Sequence, residues 1–521
     1  MEDTTALFIR LRAVDRPCDD RRPQTDDSTV GGRRSSVFFR RQSRRGPSIH
    51  NVYFEVIPRL GWKGNNVLYD SESGDCRIAL TGDTMLTRKL SNFTEERYRA
   101  LVSLLRGADA CFSNLETTVR SWDEGSPAIS RMGRGTFMTT EPWLVEEMRW
   151  LGINLLSCAN NHAFEFGEEG VLATMRHLDK GGIAHAGTGR NLGEARAPGY
   201  LDTPNGRVAL IAANATSTRS LISAPWGKAG SQRFDHKGRP GVNPLGFDTT
   251  YMVDPKAFED LSRIERELGF DPEKERERRA GESQEKTIDV RGNRFVAGEG
   301  FSLRTRIDSR DLEENLKWIR DARRQADWVV VSLHWHEFGG ESLRKAQSVM
   351  DCVEPADFIP AFARAAIDAG ADVFAGHGSH VPLGIEFYRD KPIFYSLGNF
   401  IFQNETVKSF PADAYERFDL DVQATPADWW DARTDYGKKG HPANPLYWEN
   451  FIAVCHFKDK RFSEARLYPI DQGHGRPRAQ RGRPLLADKT VSERVLDRLQ
   501  RLSRIYGTEV KIQNGVGVIG V

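Results

Sequence analysis

CRIALTGD, residues 76–83, is the stretch on which the reading of the fold turns. A β-forming apolar run stops at a glycine and an acid, and the same arrangement returns along the chain. ADACFSNLE (108–116), INLLSCANNH (153–162), RVALIAAN (207–214), DWVVVSLHWH (327–336) and ADVFAGHGSH (371–380) each carry a short β-rich run into a polar end. Fully apolar runs belong to strands covered on both faces. Helical periodicity fills the gaps, in FTEERYRALVSLLRGAD (93–109), EPWLVEEMRWLG (141–152), GVLATMRHLDKGG (170–182) and FIPAFARAAIDAGAD (358–372), each with glycine near its end. Strand and helix alternate, so the class is α/β, built from βαβ units.

Outward from this core the pattern loosens. Residues 1–50 are arginine- and turn-rich, as in GGRRSSVFFRRQSRRGPS (31–48), and read as a disordered basic tail. The stretch 219–310 breaks the strand–helix rhythm and reads as an insertion or long excursion over the active face; its charged run DPEKERERRAGESQEK (271–286) reads as a solvated helix. Beyond residue 404 the chain is irregular until a last strand, NFIAVCHFKDKRFSEARLYPI (450–470), and a C-terminal helix, VSERVLDRLQRLSRIYG (491–507). The expected organisation is a tail over 1–50, one domain over 76–475, and a helix and tail over 488–521.

Composition narrows the classes. The 521 residues are 39% hydrophobic and 28% charged, with 74 basic and 73 acidic side chains and a net charge of +1. That balance gives a soluble globular chain with no global drive toward nucleic acid or anionic membranes. Cys18, Cys76, Cys111, Cys158, Cys352 and Cys455 form no CxxC pair, which excludes a zinc ribbon or redox dithiol and fits reduced thiols. No run approaches the ~20 apolar residues of a membrane-spanning helix. The start, MEDTTALFIRLRAVDRPCDD, carries acids where a signal peptide needs bases. The expected location is cytoplasmic, with no integral membrane segment.

Five polar clusters end the predicted strands, at the sheet edge where ligands bind in open α/β folds. They are TGDTMLTR with Asp83 and Arg88, SNLETTV with Asn114 and Glu116, CANNHAFEFGEEG with Asn160, Asn161, His162 and Glu165, SLHWHEFGG with His334, His336 and Glu337, and AGHGSHVPLGIE with His377 and His380. Carboxylate, amide and imidazole are the donors that suit Mn, Fe or Zn. On an extended strand His334 and His336 share a face and Trp335 takes the other. One of the two imidazoles then serves as an orienting group. In G-H-x-x-H two imidazoles come from one tight loop, with glycines that let the backbone approach an ion. Arg88 offers a guanidinium fork for an anionic substrate, or a surface salt bridge.

These residues carry a resemblance. GDTMLTR, SNLE, ANNHAFEFGEEGVLATMRHLDKGGIAHAGTGRNLGEARAP, GRPGVNPL, SLHWHE and GHGSHVPLGIEFYRDKPIFYSLGNFIF, within residues 76–402, resemble the CapA family of capsule and poly-γ-glutamate synthesis proteins, related to the calcineurin-like metallophosphoesterases. The resemblance implies a four-layer α/β/β/α sandwich with insertions, holding one or two divalent ions (Mn, Fe or Zn) at one sheet edge. By the superfamily pattern Asp83 is a ligand, Glu116 or Asn114 takes the bridging place, Asn161 is a ligand and His162 the general acid. His334, His377 and His380 complete the metal set, while Arg88, His336 and Glu165 face the substrate. Three departures stand out: Met85 occupies the histidine place of Asp-x-His, a carboxylate longer by one methylene (Glu116) or an amide (Asn114) stands where an Asp would bridge, and Glu165 fills a place where relatives often carry aspartate.

The expected activity is metal-dependent hydrolysis of a phosphoester or related anionic substrate, small molecule or polymer. The alternative is a non-catalytic component of polymer synthesis or export that binds polyanion through the same fold. Family relatives are often membrane-associated. A nucleic-acid role for the basic tail is the weakest reading, because the total charge is near zero.

Overall fold

Period-two alternation along the buried strands sends their side chains into different cores. In Trp328–His334, Val329, Val331 and Leu333 join one apolar cluster while Trp328 and Val330 join another. Ala209, Ile211 and Ala213 of Gly206–Ser217 divide from Val208, Leu210 and Ala212 in the same way. In Cys76–Met85, Ile78 and Leu80 share the second cluster, and Ala79 turns to a third. Strands with both faces buried need a nonpolar residue at nearly every position, which is why these segments read as continuous apolar runs.

The computed structural model describes residues 74–128, 136–217, 227–268, 287–290, 292–345 and 352–520, all within the unit Val67–Val521. The basic tail and the charged run at 271–286 lie outside the described residues.

Two ten-stranded mixed sheets carry the fold, which is α/β as expected. In the first, Cys76–Met85 is central. It pairs parallel with Ala110–Leu115, antiparallel with Glu449–Lys458 and, at its carboxyl end, parallel with Asn399–Phe402. In the second, Gly206–Ser217, Trp328–His334 and Val373–His377 run parallel side by side. The helices Glu96–Arg106 and Trp143–Leu151 supply Tyr98, Leu101, Leu105, Leu144 and Met148 to the cluster on the first sheet. Phe358–Asp368 supplies Phe358, Phe362 and Ala366, and Ser309–Gln325 supplies Ile319, to the cluster on the second. The cluster that both sheets share contains Leu80, Phe112, Leu210, Val330 and Ala375.

Parallel register aligns the polar strand ends. Asp83 stands opposite Asn399 and Asn114 in the first sheet, and His334 stands opposite Asn214 and His377 in the second. Close backbone approach holds the first row together. Asp83 N donates to Gly398 O at 2.9 Å, and a Cβ on Gly82 would lie 1.8 Å from that oxygen. Only glycine fits there.

The structure revises three sequence expectations. The stretch 219–310 includes four strands of the second sheet, Pro244–Val253, Thr287–Val290, Asn293–Ala297 and Ser302–Ile307. Their half-exposed, mixed composition hides them from a search for apolar runs. The last strand is a hairpin, Glu449–Lys458 and Arg461–Asp471. It turns through Asp459 (φ 49°) and Lys460 (φ 62°), both left-handed as a two-residue hairpin turn requires. After the helix Lys489–Ser503 the terminal segment is paired: Val516–Gly520 adds antiparallel to Arg461–Asp471.

Candidate metal centre

The two rows of polar strand ends converge on one buried spot. Asp83 Oδ1 lies 3.5 Å from His377 Nδ1 and 3.9 Å from His334 Nδ1, and Asp83 Oδ2 lies 3.2 Å from His380 Nδ1. Glu116 Oε1 lies 3.7 Å from His334 Nε2 and from His162 Nε2, and Glu116 Oε2 lies 3.9 Å from His380 Nδ1. Three overlapping triads have donor atoms close enough to share an ion: Asp83–His334–His377, Glu116–His334–His336 and Asp83–Glu116–His380. Five expected ligands, Asp83, Glu116, His334, His377 and His380, are therefore together. His336, expected to face substrate, joins them as a sixth donor at the exposed rim.

Each imidazole is held by a second contact. Ser332 Oγ is 2.7 Å from His377 Nε2, Asn399 Oδ1 is 3.0 Å from His380 Nδ1, and His336 Nε2 is 3.1 Å from His334 Nε2. His380 adopts φ 62°, an unusual conformation for a non-glycine residue. Gly378, at φ 101°, lets this loop cross the preceding strand: a Cβ there would lie 2.5 Å from Trp335 O and 3.0 Å from His334 Cε1. Trp335 turns away into the apolar core, its indole N–H donating to Tyr395 O at 3.0 Å.

The two buried carboxylates differ sharply. Burial raises the pKa of Asp83, but hydrogen bonds and charge from His377 and His380 outweigh it, leaving the carboxyl well below the usual aspartate range. Gly378 N (3.0 Å) and Asn114 Nδ2 (2.8 Å) also donate to it. Glu116 is pushed well above the glutamate range, by burial first and then by the charges of Asp83 and Glu165. Among the described residues, neither of its oxygens has a hydrogen-bond partner. A buried carboxylate without donors is costly. Its oxygens sit among imidazole nitrogens, and a divalent cation is the partner that such a donor set fits. Burial, then the neighbouring His336, holds His334 well below the imidazole range, so it is neutral and able to ligate.

The remaining expected residues divide. Asn161 Oδ1 is buried and, among the described residues, has no hydrogen-bond partner. Asn114 is engaged at both ends of its amide, donating to Asp83 Oδ1 and accepting from Asn160 Nδ2 at 3.2 Å. Its place is to orient Asp83. Glu165 lies beside His162: its Oε1 is 2.9 Å from His162 Nδ1, and its Oε2 accepts from Met138 N at 2.6 Å. Arg88 is tied to the main chain, donating to the carbonyls of Ala479 and Arg481 and to Thr406 Oγ1. Those bonds leave it no visible part in the cluster. Asn399 and Ser332 are site residues that strand-end reading passed over. Asn399 follows a glycine turn, and Ser332 lies inside an apolar run.

Fold and site together define an α/β protein whose buried Asp/Glu/His cluster could hold a metal ion. Residues 77–404 match the family described as bacterial capsule synthesis protein PGA_cap, and the chain belongs to that family. It is 35% identical over 452 residues to "Uncharacterized protein y4sH" of Sinorhizobium fredii, covering 85% of this chain and 92% of the relative. It is 24% identical over 331 residues to "PGA biosynthesis protein CapA" of Bacillus subtilis, covering 62% of each chain. A solved structure of a hypothetical protein from Thermus thermophilus aligns at 13% identity with a TM-score of 0.28, covering 78% of this chain and 96% of that one. Among the described residues no helix is long and apolar enough to cross a membrane.

Proposed function

We propose that this member of the capsule synthesis family is a metal-dependent hydrolase acting on a phosphoester or a related anionic substrate. The carrying observation is Glu116: a fully buried carboxyl, without hydrogen-bond donors among the described residues, set among imidazoles and beside a second carboxylate. The reading takes the fold as a four-layer α/β/β/α sandwich of the metallophosphoesterase type, with insertions. One apolar cluster shared by the sheets and one on the helix side of each support it.

Asp83, Glu116, Asn161, His334, His377 and His380 would hold one or two divalent ions, with His336 available at the rim. Such ions supply Lewis-acid polarisation and water of lowered pKa. The protein's part is positioning and proton transfer. His162 has Nδ1 beside Glu165 and Nε2 toward Glu116, which leaves one ring nitrogen on the cluster side. From there it hands a proton to the leaving group as general acid. Glu165 lies against the ring, and Asn114 and Gly378 N hold the Asp83 carboxylate, whose remaining lone pairs would be available to the ion.

One observation favours the non-catalytic reading. Met85 stands in the histidine place of Asp-x-His and is buried in the apolar core, so one donor of the superfamily set is missing. Turnover of a generic phosphodiester by the Mn-loaded full chain separates the readings. The hydrolase account expects turnover that falls by about 10²–10⁴ in His162→Ala at unchanged metal content. Stoichiometric metal with no turnover on any phosphoester assigns the chain to polyanion binding.

A further inference from the structure

His441 lies outside the family-matched stretch 77–404, in a segment with no strand or long helix, yet it comes back to the metal cluster. Its ring is 5.8 Å from that of His380, which is 5.7 Å from His336, which is 4.9 Å from His334. The four imidazoles thus follow one another as ring neighbours from the buried His334 to His441. Among the described residues, His334, His336 and His380 each belong to a triad whose donors could share an ion and His441 belongs to none, so it stands beside the ligand set, not within it.

The ring is built in. Tyr447 packs on it at 4.4 Å and Phe402 at 5.1 Å, and Trp448 Nε1 donates to its carbonyl at 2.8 Å. Nδ1 lies 3.2 Å from Asn404 Nδ2. An amide nitrogen can only donate, so Nδ1 accepts and the ring proton sits on Nε2. Among the described residues no hydrogen bond reaches Nε2. Positive charge stands behind this wall: Arg433 stacks at 5.2 Å over Trp429 and 5.5 Å over Trp430, and its field acts on both His441 and Tyr447.

We propose that His441 is a substrate-binding residue, donating Nε2–H to an oxygen of an anionic tetrahedral ligand such as a phosphoryl group seated on the metal centre. The inference rests on the metal-centre reading above. It adds that the segment 404–448, not the family core, helps to choose the substrate.

The test uses the full chain loaded with Mn, with inorganic phosphate as the probe, and reads metal content by elemental analysis and phosphate affinity by calorimetry. His441→Ala should keep the wild-type metal content and bind phosphate about tenfold more weakly, the loss expected for one hydrogen bond to a charged group. His441→Gln, which offers an N–H at the position of Nε2, should recover most of that loss, which excludes a folding defect as the cause. Phosphate affinity within twofold of wild type in His441→Ala overturns the proposal. So does loss of metal in that variant, because His441 would then be a ligand, and so does a metal-loaded wild type that takes no phosphate. A wild type that takes no metal sinks the metal-centre reading itself, an outcome distinct from all three.

Discussion

The two sheets bring different chemistry to one edge. The sheet around Cys76–Met85 delivers acids and amides, Asp83, Asn114, Glu116 and Asn399, with His162 as its one imidazole at the cluster among the described residues, while the sheet around Trp328–His334 delivers imidazoles, His334, His336 and His377. Neither half resembles a complete cation site. Carboxylates alone would repel one another in a buried spot, and imidazoles alone would carry no compensating charge. The site is a property of how the sheets meet. The difference continues between its two acids. Asp83 is supplied with donors and held as an anion, whereas Glu116 has none among the described residues and favours its proton. One carboxylate is already satisfied and the other waits for a partner.

The largest expected effect breaks the contribution of one whole side. His377→Ala removes a buried ligand, and metal affinity should fall by more than the roughly 10–100-fold that loss of an orienting partner costs. Elemental analysis after desalting checks it. Removing the orienting group alone, in Ser332→Ala, should give an effect inside that 10–100-fold range, because Ser332 Oγ contacts His377 and no other cluster residue.

A third pair of variants sharpens the contrast between the acids. In metal-free protein at neutral pH, Asp83→Asn should cost about 1–3 kcal/mol, since a buried anion that accepts from Gly378 N and Asn114 is lost. Glu116→Gln should change stability by less than about 1 kcal/mol, because among the described residues no donor bonds the native carboxyl, its proton is favoured by burial, and Gln is nearly isosteric. Urea unfolding in chelator measures both. Similar costs for the two variants would erase the distinction.

The pH dependence follows from the same shifts. Glu116 has a folded-state pKa above the ordinary value of 4.5, so between the two values the folded protein binds the extra proton. Stability of the metal-free protein from this group is therefore present at low pH and lost as pH rises through the folded-state value. Asp83 acts oppositely: its depressed pKa contributes stability above the unfolded value of 3.8, lost only as pH falls through the folded one. Below the folded-state value metal must displace the Glu116 proton, so in that range affinity should rise with pH and binding should release a proton. Calorimetry in buffers of different ionisation enthalpy detects that release, and Glu116→Gln should abolish it.

Much of this architecture was legible in the sequence, for a physical reason. Asp83, Glu116, His334 and His377 each close a run that is apolar because both faces of its strand are buried, so composition marks where the strand stops. The strands of 244–307 were not legible, since a half-exposed segment such as Ser302–Ile307 alternates exposed and half-buried positions and shows no such run. The hairpin at Asp459 and Lys460 was missed because neither residue is the glycine or asparagine that usually announces left-handed turn positions. Asn399 and His441 depend on contacts between segments far apart in sequence, with Asp83 in one case and the His380 ring in the other. Nothing local encodes those meetings. Arg88 carried the chemistry of an anion binder, and its use as a main-chain tie to Ala479 and Arg481 is visible only in three dimensions.

The central claim is that acids from one sheet and imidazoles from the other hold a divalent ion that neither set holds alone. Its most direct test is the metal content of the full chain, loaded with Mn, Fe or Zn and then desalted, beside the Asp83→Ala and His334→Ala variants, which disable one side each. The account predicts one or two ions per wild-type chain and almost none in either variant. Wild-type protein that emerges without metal, or variants that retain the wild-type content, would contradict it.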